Sequence, residues 1–479
     1  MGRHCPSSSG ASVEKVVCEV SDAGKPTNGQ CRSLSRRLNI SFALASICAL
    51  AAGLSCLSGT GERPPQPHEG DAALTMFFTG NELGSLKPCG CSGGQLGGLE
   101  KRAAIFNSVP VSNRLLVETG SLVGSDSEQD LIKFRILFEA LKHLNYDVVH
   151  LTDRDLEIAG PLGLPADPPQ GFRMIRTAER RPSEVFTKRF TCRGREVTVR
   201  IAAFDPETSP VEQAAGLFVA TSGLSTLDIL ILERGDPGVV KALATQMPGI
   251  DCIICPSDSD EPHLLSDPGV RPLVFTIGRF GRYVCRLDAA VGAQTGELAL
   301  RFEPIPIETK LPDDDTLVQL YKQYQQLVKE SNLLEKHPRM PLPGDLAFAG
   351  SNSCKRCHEP EYQKWSTQPH AHALASLKKV GSEYDPECVA CHVVGMEYER
   401  GFITEARTPQ LKDVGCENCH GPGSEHIRTF GQTATSQPKM TCLNCHTPER
   451  SGGYTGHEQE YMQKIVHWRE PAAAGNVKN

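Results

Sequence analysis

The chain has 479 residues, with 50 Lys and Arg against 57 Asp and Glu and a formal net charge of −7. That length allows two or three domains, and the acidic balance removes the basic field on which nucleic-acid binding depends. Its 19 cysteines are unevenly spread, and eight of them fall in one repeated pattern near the C-terminus.

Residues 1–39 form a polar leader, rich in Ser, Gly and charge and without helical or strand period, and are expected to be disordered. From Ile40 to Ser58 the chain turns apolar (ISFALASICALAAGLSCLS) directly after Arg36-Arg37, the shape of an export signal. The run is also long enough to serve as a membrane anchor. Residues 40–58 are therefore expected to place the protein in the periplasm or another extracytoplasmic space, with membrane association through the same segment. A Pro-rich polar linker, 59–73, follows.

From Leu74 onward strands alternate with helices. LTMFFT, LLVE, DVVHL, VTVRIAAF, DILIL, CII and LVFTI are short β-rich runs. Between them, DLIKFRILFEALKHL carries Leu131, Phe134, Leu137, Phe138 and Leu141 at helical spacing. Sustained alternation predicts a layered α/β domain over 74–308. Residues 160–190, dense in Pro, Gly and Arg, read as an excursion on its surface. After Pro312, DDDTLVQLYKQYQQLVKESNLL has capping aspartates and one apolar stripe, which predicts a packed helix. With the Pro-rich HPRMPLPGD it forms a connection, 309–345, to the rest of the chain.

Two cysteine pairs lie in this front domain. Cys89-Gly90-Cys91 sits in a Gly-rich loop, where a disulfide, redox or metal role competes with turn building. Cys252 and Cys255 have redox-motif spacing, but the apolar residues between them predict a buried strand with inert thiols.

Within Cys354–His446 the pattern C-x-x-C-H occurs four times, at Cys354–His358, Cys388–His392, Cys416–His420 and Cys442–His446. Composition alone gives ~0.02 such patterns in a chain of this length. Each is the attachment signature of a c-type haem. Its two thiols, here Cys354 and Cys357, Cys388 and Cys391, Cys416 and Cys419, Cys442 and Cys445, bond to the porphyrin. The adjacent imidazole reaches the iron, which assigns His358, His392, His420 and His446 as proximal ligands. Motif starts are separated by 34, 28 and 26 residues. Segments so short cannot build cores of their own, so the cofactors must supply much of the interior. Residues 346–470 are expected to form a mainly α and irregular domain with four covalently attached haem c groups, followed by a tail, 471–479. The candidates for the distal side are His370, His372, His426, His457 and His467, five histidines for four positions.

The stretches TMFFTGNELGSLKPCGCSGGQLGGLEKRAAI, LLVETGS, YDVVHLTDRDLEIAG, DCIICPSDSDEPH and GRFGRYV together resemble the 5′-nucleotidase-like metallophosphatases. The resemblance implies a two-sheet sandwich flanked by helices over most of 74–290. It also implies a two-metal centre of Asp, Asn and His ligands that activates water for attack on phosphorus. This chain departs from that ligand pattern. Asn81-Glu82-Leu83, Gly120-Ser121, Asp153-Arg154 and Pro256-Ser257-Asp258-Ser259 stand at the ligand signatures. A scaffold without phosphatase chemistry is expected. The alternative is a different metal site built from Glu82, Glu118, Asp153 and Asp155.

AGSNSCKRCH, the W-x₄-H-A-x-A run from Trp365 to Ala373, CENCHGPGSEH and CLNCHTP resemble the cytochrome c-552/c-554 type of multihaem cytochrome across about residues 348–467. That resemblance implies His370 as a distal ligand, electron carriage or redox catalysis in nitrogen metabolism, and a haem that can stay five-coordinate. The leading expectation is a multi-domain extracytoplasmic electron carrier between a redox donor and a redox acceptor of unknown identity. One alternative is an oxidoreductase with an open haem acting on a small nitrogen compound. Another is a binding module carried by the front domain.

Overall fold

The computed structural model describes residues 74–88, 95–163, 173–176, 185–192, 194–214, 216–218, 225–267, 269–292, 298–436, 441–448 and 450–467. The apolar run 40–58 and the pair Cys89 and Cys91 lie outside the described residues. Among those described, no helix is long and apolar enough to cross a membrane.

Two mixed sheets form the front domain. The first has the order β11 (Leu298–Pro306), β10 (Tyr283–Val291), β1 (Leu74–Thr79), β2 (Arg114–Glu118), β3 (Val148–Leu151) and β4 (Arg173–Arg176). The second runs β5 (Phe186–Cys192), β6 (Arg195–Phe204), β7 (Ser225–Leu232), β8 (Cys252–Pro256) and β9 (Leu273–Ile277). Strands β1 to β4 pair in parallel, as do β6 to β9, whereas β10, β11 and β5 are antiparallel to their neighbours. Strand β1 shows why the run LTMFFT is apolar throughout. Leu74, Met76 and Phe78 pack between the sheets, while Phe77 packs on the helical face, so both sides are buried.

Helices α1 (Arg102–Phe106), α2 (Glu128–His143) and α3 (Asp153–Ala159) belong to the first sheet's side. On the second sheet, α4 (Val211–Ala214) and α5 (Pro237–Gln246) cover the outer face. Ser127 caps α2 by accepting the Asp130 amide, which satisfies one of the exposed first-turn donors. This is the sandwich flanked by helices that the metallophosphatase resemblance implies. Two stretches differ from expectation. The region read as a surface excursion supplies β4 and β5, the former pairing on β3 and the latter on β6. The antiparallel pair β10–β11 closes one edge of the first sheet.

The segment read as a connection has a second role. Helix α6 (Asp315–Glu330) is capped by Asp314 and lays Leu317, Tyr324 and Val328 into the front-domain core. Short α7 (Leu333–Lys336) follows, with Leu333 in that core and the adjacent Leu334 in the core of the C-terminal domain.

That C-terminal domain consists of short helices: α8 (Ser351–Cys354), α9 (Glu359–Ser366), α10 (Ala373–Val380), α11 (Pro386–Val389), α12 (Cys416–His420), α13 (Ser424–Arg428) and α14 (Glu458–Ile465). Its apolar cluster is small, centred on Leu374, Leu377, Val389, Val393, Met396 and Phe402. So small a core is what chain segments interrupted every 26 to 34 residues by an attachment motif can build.

Candidate haem-binding site

The four motifs are held by polar cross-links between segments distant in sequence. Glu417, the second residue of the third motif, is buried and accepts from the amides of Ala349, Gly350 and Gly423 at 2.7–2.9 Å. One carboxylate therefore ties the lead into the first motif to the turn after the third, through charge-assisted bonds. Asn418 accepts from the Gly415 amide and donates to the Val393 carbonyl, which joins the third motif to the second. The Trp365 indole donates to the Val414 carbonyl at 2.9 Å, and the Val414 amide donates to the His370 carbonyl at 3.0 Å. The spacing from Trp365 to His370 thus clips one segment to Val414, two residues before the third motif.

Folding also brings thiols of different motifs together. Cys354 of the first lies in hydrogen-bond reach of Cys416 of the third, an interaction that holds the Cys416 thiol below its ordinary range and pushes Cys354 up. Cys391 of the second is likewise in reach of Cys445 of the fourth. Motifs one and three are neighbours, as are two and four.

The imidazoles carry the clearest geometry. His358 faces His426 with ring centroids 6.1 Å apart and planes 26° from parallel. His370 faces His446 at 6.2 Å, and His420 faces His467 at 6.2 Å. Two imidazoles on opposite sides of one metal ion, each nitrogen about 2 Å from it, put their ring centroids about 6 Å apart. Each pair joins a motif histidine to a histidine elsewhere in the chain. Among the described residues the structure does not place His372 or His457 opposite a motif imidazole in this way. His372 is exposed, and His457 is exposed beside Glu460 at 3.2 Å.

Ring orientation fits metal ligation as well. Nδ1 of His426 lies 2.8 Å from the Thr433 carbonyl, and Nδ1 of His467 lies 2.9 Å from that of Ile465. His392 Nδ1 is 2.8 Å from the Ala373 carbonyl, and His446 Nδ1 is 3.0 Å from the Ser451 hydroxyl. The carbonyl acceptors place the proton on Nδ1 of His392, His426 and His467, which leaves the Nε2 lone pair for a metal. Burial lowers the pKa of His370, His392, His420 and His446, which favours the neutral, ligating form. A cleft of about 620 Å³, open to solvent, is lined by Cys354, His358, Trp365, Cys416, His420 and His467. The thiols, the oriented imidazoles and this cleft suit covalently held haem.

At the carboxyl ends of β1 to β3, which carry the altered ligand signatures, the side chains form a buried charge network. Arg102 of α1 donates to Glu82 at 2.7 Å with both side chains buried. Glu118 lies behind them, accepting from Thr79 at 2.5 Å, and Tyr146 lies 2.8 Å from the same threonine hydroxyl. Burial opposes the Arg102 charge, yet Glu82, Tyr146 and Glu118 outweigh it and raise the guanidinium pKa. Burial and then the charge of Glu82 push the Glu118 carboxyl well above its usual range. A proton on Glu118 also serves Glu82 Oε2, which is buried without another donor.

The four-carboxylate alternative is not assembled. Glu82 is committed to Arg102 and Glu118 accepts from Thr79, whereas Asp155 caps α3 and accepts from the Ser121 and Leu122 amides at 2.8 and 2.9 Å. Asp153 instead approaches Asp205 and Glu233, their carboxylate oxygens within 4.8 Å of one another. That trio was not foreseen, since its members end three strands in two sheets. Arg234 already supplies a cation there, 3.7 Å from Asp205 and 2.8 Å from Glu207. Among the described residues, the carboxylates at the first three signatures are tied to a guanidinium, a hydroxyl and backbone amides rather than turned toward a shared pair of metal ions. Cys252 and Cys255 are buried in β8, their thiols pushed up by burial.

Residues 353–421 match the sequence family described as cytochrome c554 and c-prime. Cytochrome c-554 of Nitrosomonas europaea is 38% identical over 119 residues, 21% of this chain and 50% of that protein. The chain thus spans about half the length of that relative. Solved structures similar to the chain include a calcineurin-like phosphoesterase of Bacillus subtilis, with 16% identity and a TM-score of 0.41 over 54% of this chain and 98% of that one. A 5′-nucleotidase precursor of Thermus thermophilus gives 15% and 0.40 over 64% and 68%. Similarity at that level adds nothing to the two-sheet architecture seen directly in the strands. For the motif-bearing region the sequence match and the paired imidazoles agree: the C-terminal region is a cytochrome c domain, similar to cytochrome c554, carried by a chain with a separate α/β domain in front.

Proposed function

We propose that the chain is a tetrahaem electron-transfer protein of an extracytoplasmic space, passing electrons between two redox proteins. The observation that carries this reading is the set of three imidazole pairs spaced to share an iron. Bound at these sites, haem c supplies one-electron chemistry whose potential follows axial ligand, burial and nearby charge. The chain's own part is to orient the rings. Carbonyls hold the Nδ1 protons of His392, His426 and His467, and Glu417 and Asn418 keep the motifs in register. Neighbouring thiols of motifs one and three, and of two and four, support two closely spaced cofactor pairs, the arrangement short-range electron transfer needs.

The front domain serves in this reading as a non-catalytic support or docking element. The buried Arg102–Glu82 pair supports that role, because the guanidinium neutralises the carboxylate that stands at the first ligand signature. The apolar run 40–58 after Arg36-Arg37 supports export or anchoring.

The test is direct. Purified protein should carry four haems per chain by pyridine haemochrome assay, and mass spectrometry should place one on each motif. Nucleotide hydrolysis should be absent with added manganese or zinc. Fewer than four haems, or robust metal-dependent hydrolysis, would sink the respective half of the reading.

A further inference from the structure

The junction between the two domains is centred on the second attachment motif. Asp385, which caps α11 immediately before Cys388, accepts from Gln129 Nε2 at 2.9 Å and from the Tyr324 hydroxyl at 2.9 Å. Gln129 also donates to the Tyr324 hydroxyl oxygen at 2.8 Å, which closes a three-membered ring among buried side chains. Gln129 comes from α2 and Tyr324 from α6, so two front-domain helices hold one cytochrome residue. Two positions on, Lys133 of α2 donates to the Glu387 carboxylate at 2.5 Å while its stem and ammonium are buried. The Glu387 carbonyl meanwhile accepts from Arg450, beyond the fourth motif, at 2.6 Å. Asp130, at 3.5 Å, and Asp385 also act on the Lys133 charge. Gln325 of α6 adds bonds to the Val380 carbonyl and the Ser382 hydroxyl at 2.7 and 3.1 Å.

Interfaces between domains of one chain are usually polar, modest and mobile by default. This one is unlike that default. A buried ring of polar groups is costly unless every member is satisfied, which happens in one relative orientation of its parts. Asp385 and Glu387 flank the start of the helix bearing Cys388, so that orientation fixes where the second motif holds its cofactor. It also places the Lys133 cation against the residue preceding the attachment cysteine.

We propose that Gln129, Lys133 and Tyr324 of the front domain are positioning residues for the second haem, setting its placement and its reduction potential through Asp385 and Glu387. The inference rests on haem attachment at Cys388 and Cys391, so that attachment is measured first. Wild-type protein without haem on these cysteines overturns the reading and the inference together. In loaded holoprotein, spectropotentiometric titration should then resolve the effect. Lys133→Met withdraws a positive charge and should lower the midpoint of one haem, changing its reduced-to-oxidised ratio at fixed potential about threefold, or about 30 mV at 59 mV per decade. Tyr324→Phe combined with Gln129→Leu should move the same midpoint while all four haems stay attached. Lys142→Met, on α2 but paired with exposed Glu139, should move none. If Lys133→Met and the double variant both load four haems and titrate like wild type, the front domain does not tune the second haem and the proposal fails.

Discussion

His358 and His426, separated by 67 residues of chain, stack with their rings 26° from parallel at a centroid distance of 6.1 Å. That distance leaves room for one ion and little else. Replacing His426 with Ala should convert one of the low-spin signals in the electron paramagnetic resonance spectrum to high spin and leave covalent attachment intact. His457→Ala should leave the spectrum unchanged, because His457 sits on the surface beside Glu460. An unaltered spectrum for His426→Ala would show that some other group binds that iron.

Glu417 is buried and accepts from three backbone amides that belong to two different segments. Its replacement by Ala strands those donors, each costing about 1–3 kcal/mol less whatever water can recover. The expected result is a net loss of ~2–4 kcal/mol. Thermal unfolding followed by Soret absorbance should show it, together with incomplete haem loading at the first and third motifs. Glu417→Gln, which keeps an acceptor oxygen, should lose less.

Glu118 makes a pH-dependent contribution whose sign is set by its raised pKa. The folded state holds its proton to higher pH than the unfolded chain does. Stability from this group is therefore full below the ordinary glutamate pKa of 4.5 and is lost as pH rises toward the folded value. Glu118→Gln mimics the protonated form. The variant should match wild type near pH 4.5 and exceed it in melting temperature toward pH 8. A constant difference across that range would show that Glu118 is ionised in the native protein.

Arg102 faces Glu82 with both groups out of water. Arg102→Met should cost about 3–5 kcal/mol, because it leaves an uncompensated buried carboxylate. Adding Glu82→Gln should restore much of that loss. Denaturant unfolding of the two variants beside wild type measures the coupling. Equal destabilisation by the single and double variants would mean the pair does not act as a unit.

Much of this arrangement is visible in the sequence and some of it is not, for reasons that differ by element. The run LTMFFT reads as a buried strand because both faces of β1 are covered. The motifs read as haem sites because two thiols and an imidazole at fixed spacing have one common use. Strands β4 and β5 escape notice because β4 is four residues long, and because FTKRFTC lies at the edge of the second sheet with charged residues facing solvent. Partner choice among distal histidines is a long-range property. Nothing in the local sequence separates His467, which reaches His420, from His457, which stays at the surface. Arg102 is hidden for a similar reason, since a lone arginine in a short helix gives no sign that it will meet a buried carboxylate in the loop after β1. Helix α6 is foreseen as a packed element, but the neighbours that receive Tyr324 come from positions 129 and 385.

The proximity of Cys354 to Cys416, and of Cys391 to Cys445, bears on how such a chain is matured. Thiols at that range in an oxidising compartment are prone to join as disulfides, giving up two electrons to the oxidant. A polypeptide that folded before receiving its porphyrins would staple the first motif to the third and the second to the fourth, shutting out the cofactor. With the export proposed above, maturation would require that reductant keep these sulfurs apart and that ligation to the vinyl carbons precede compaction.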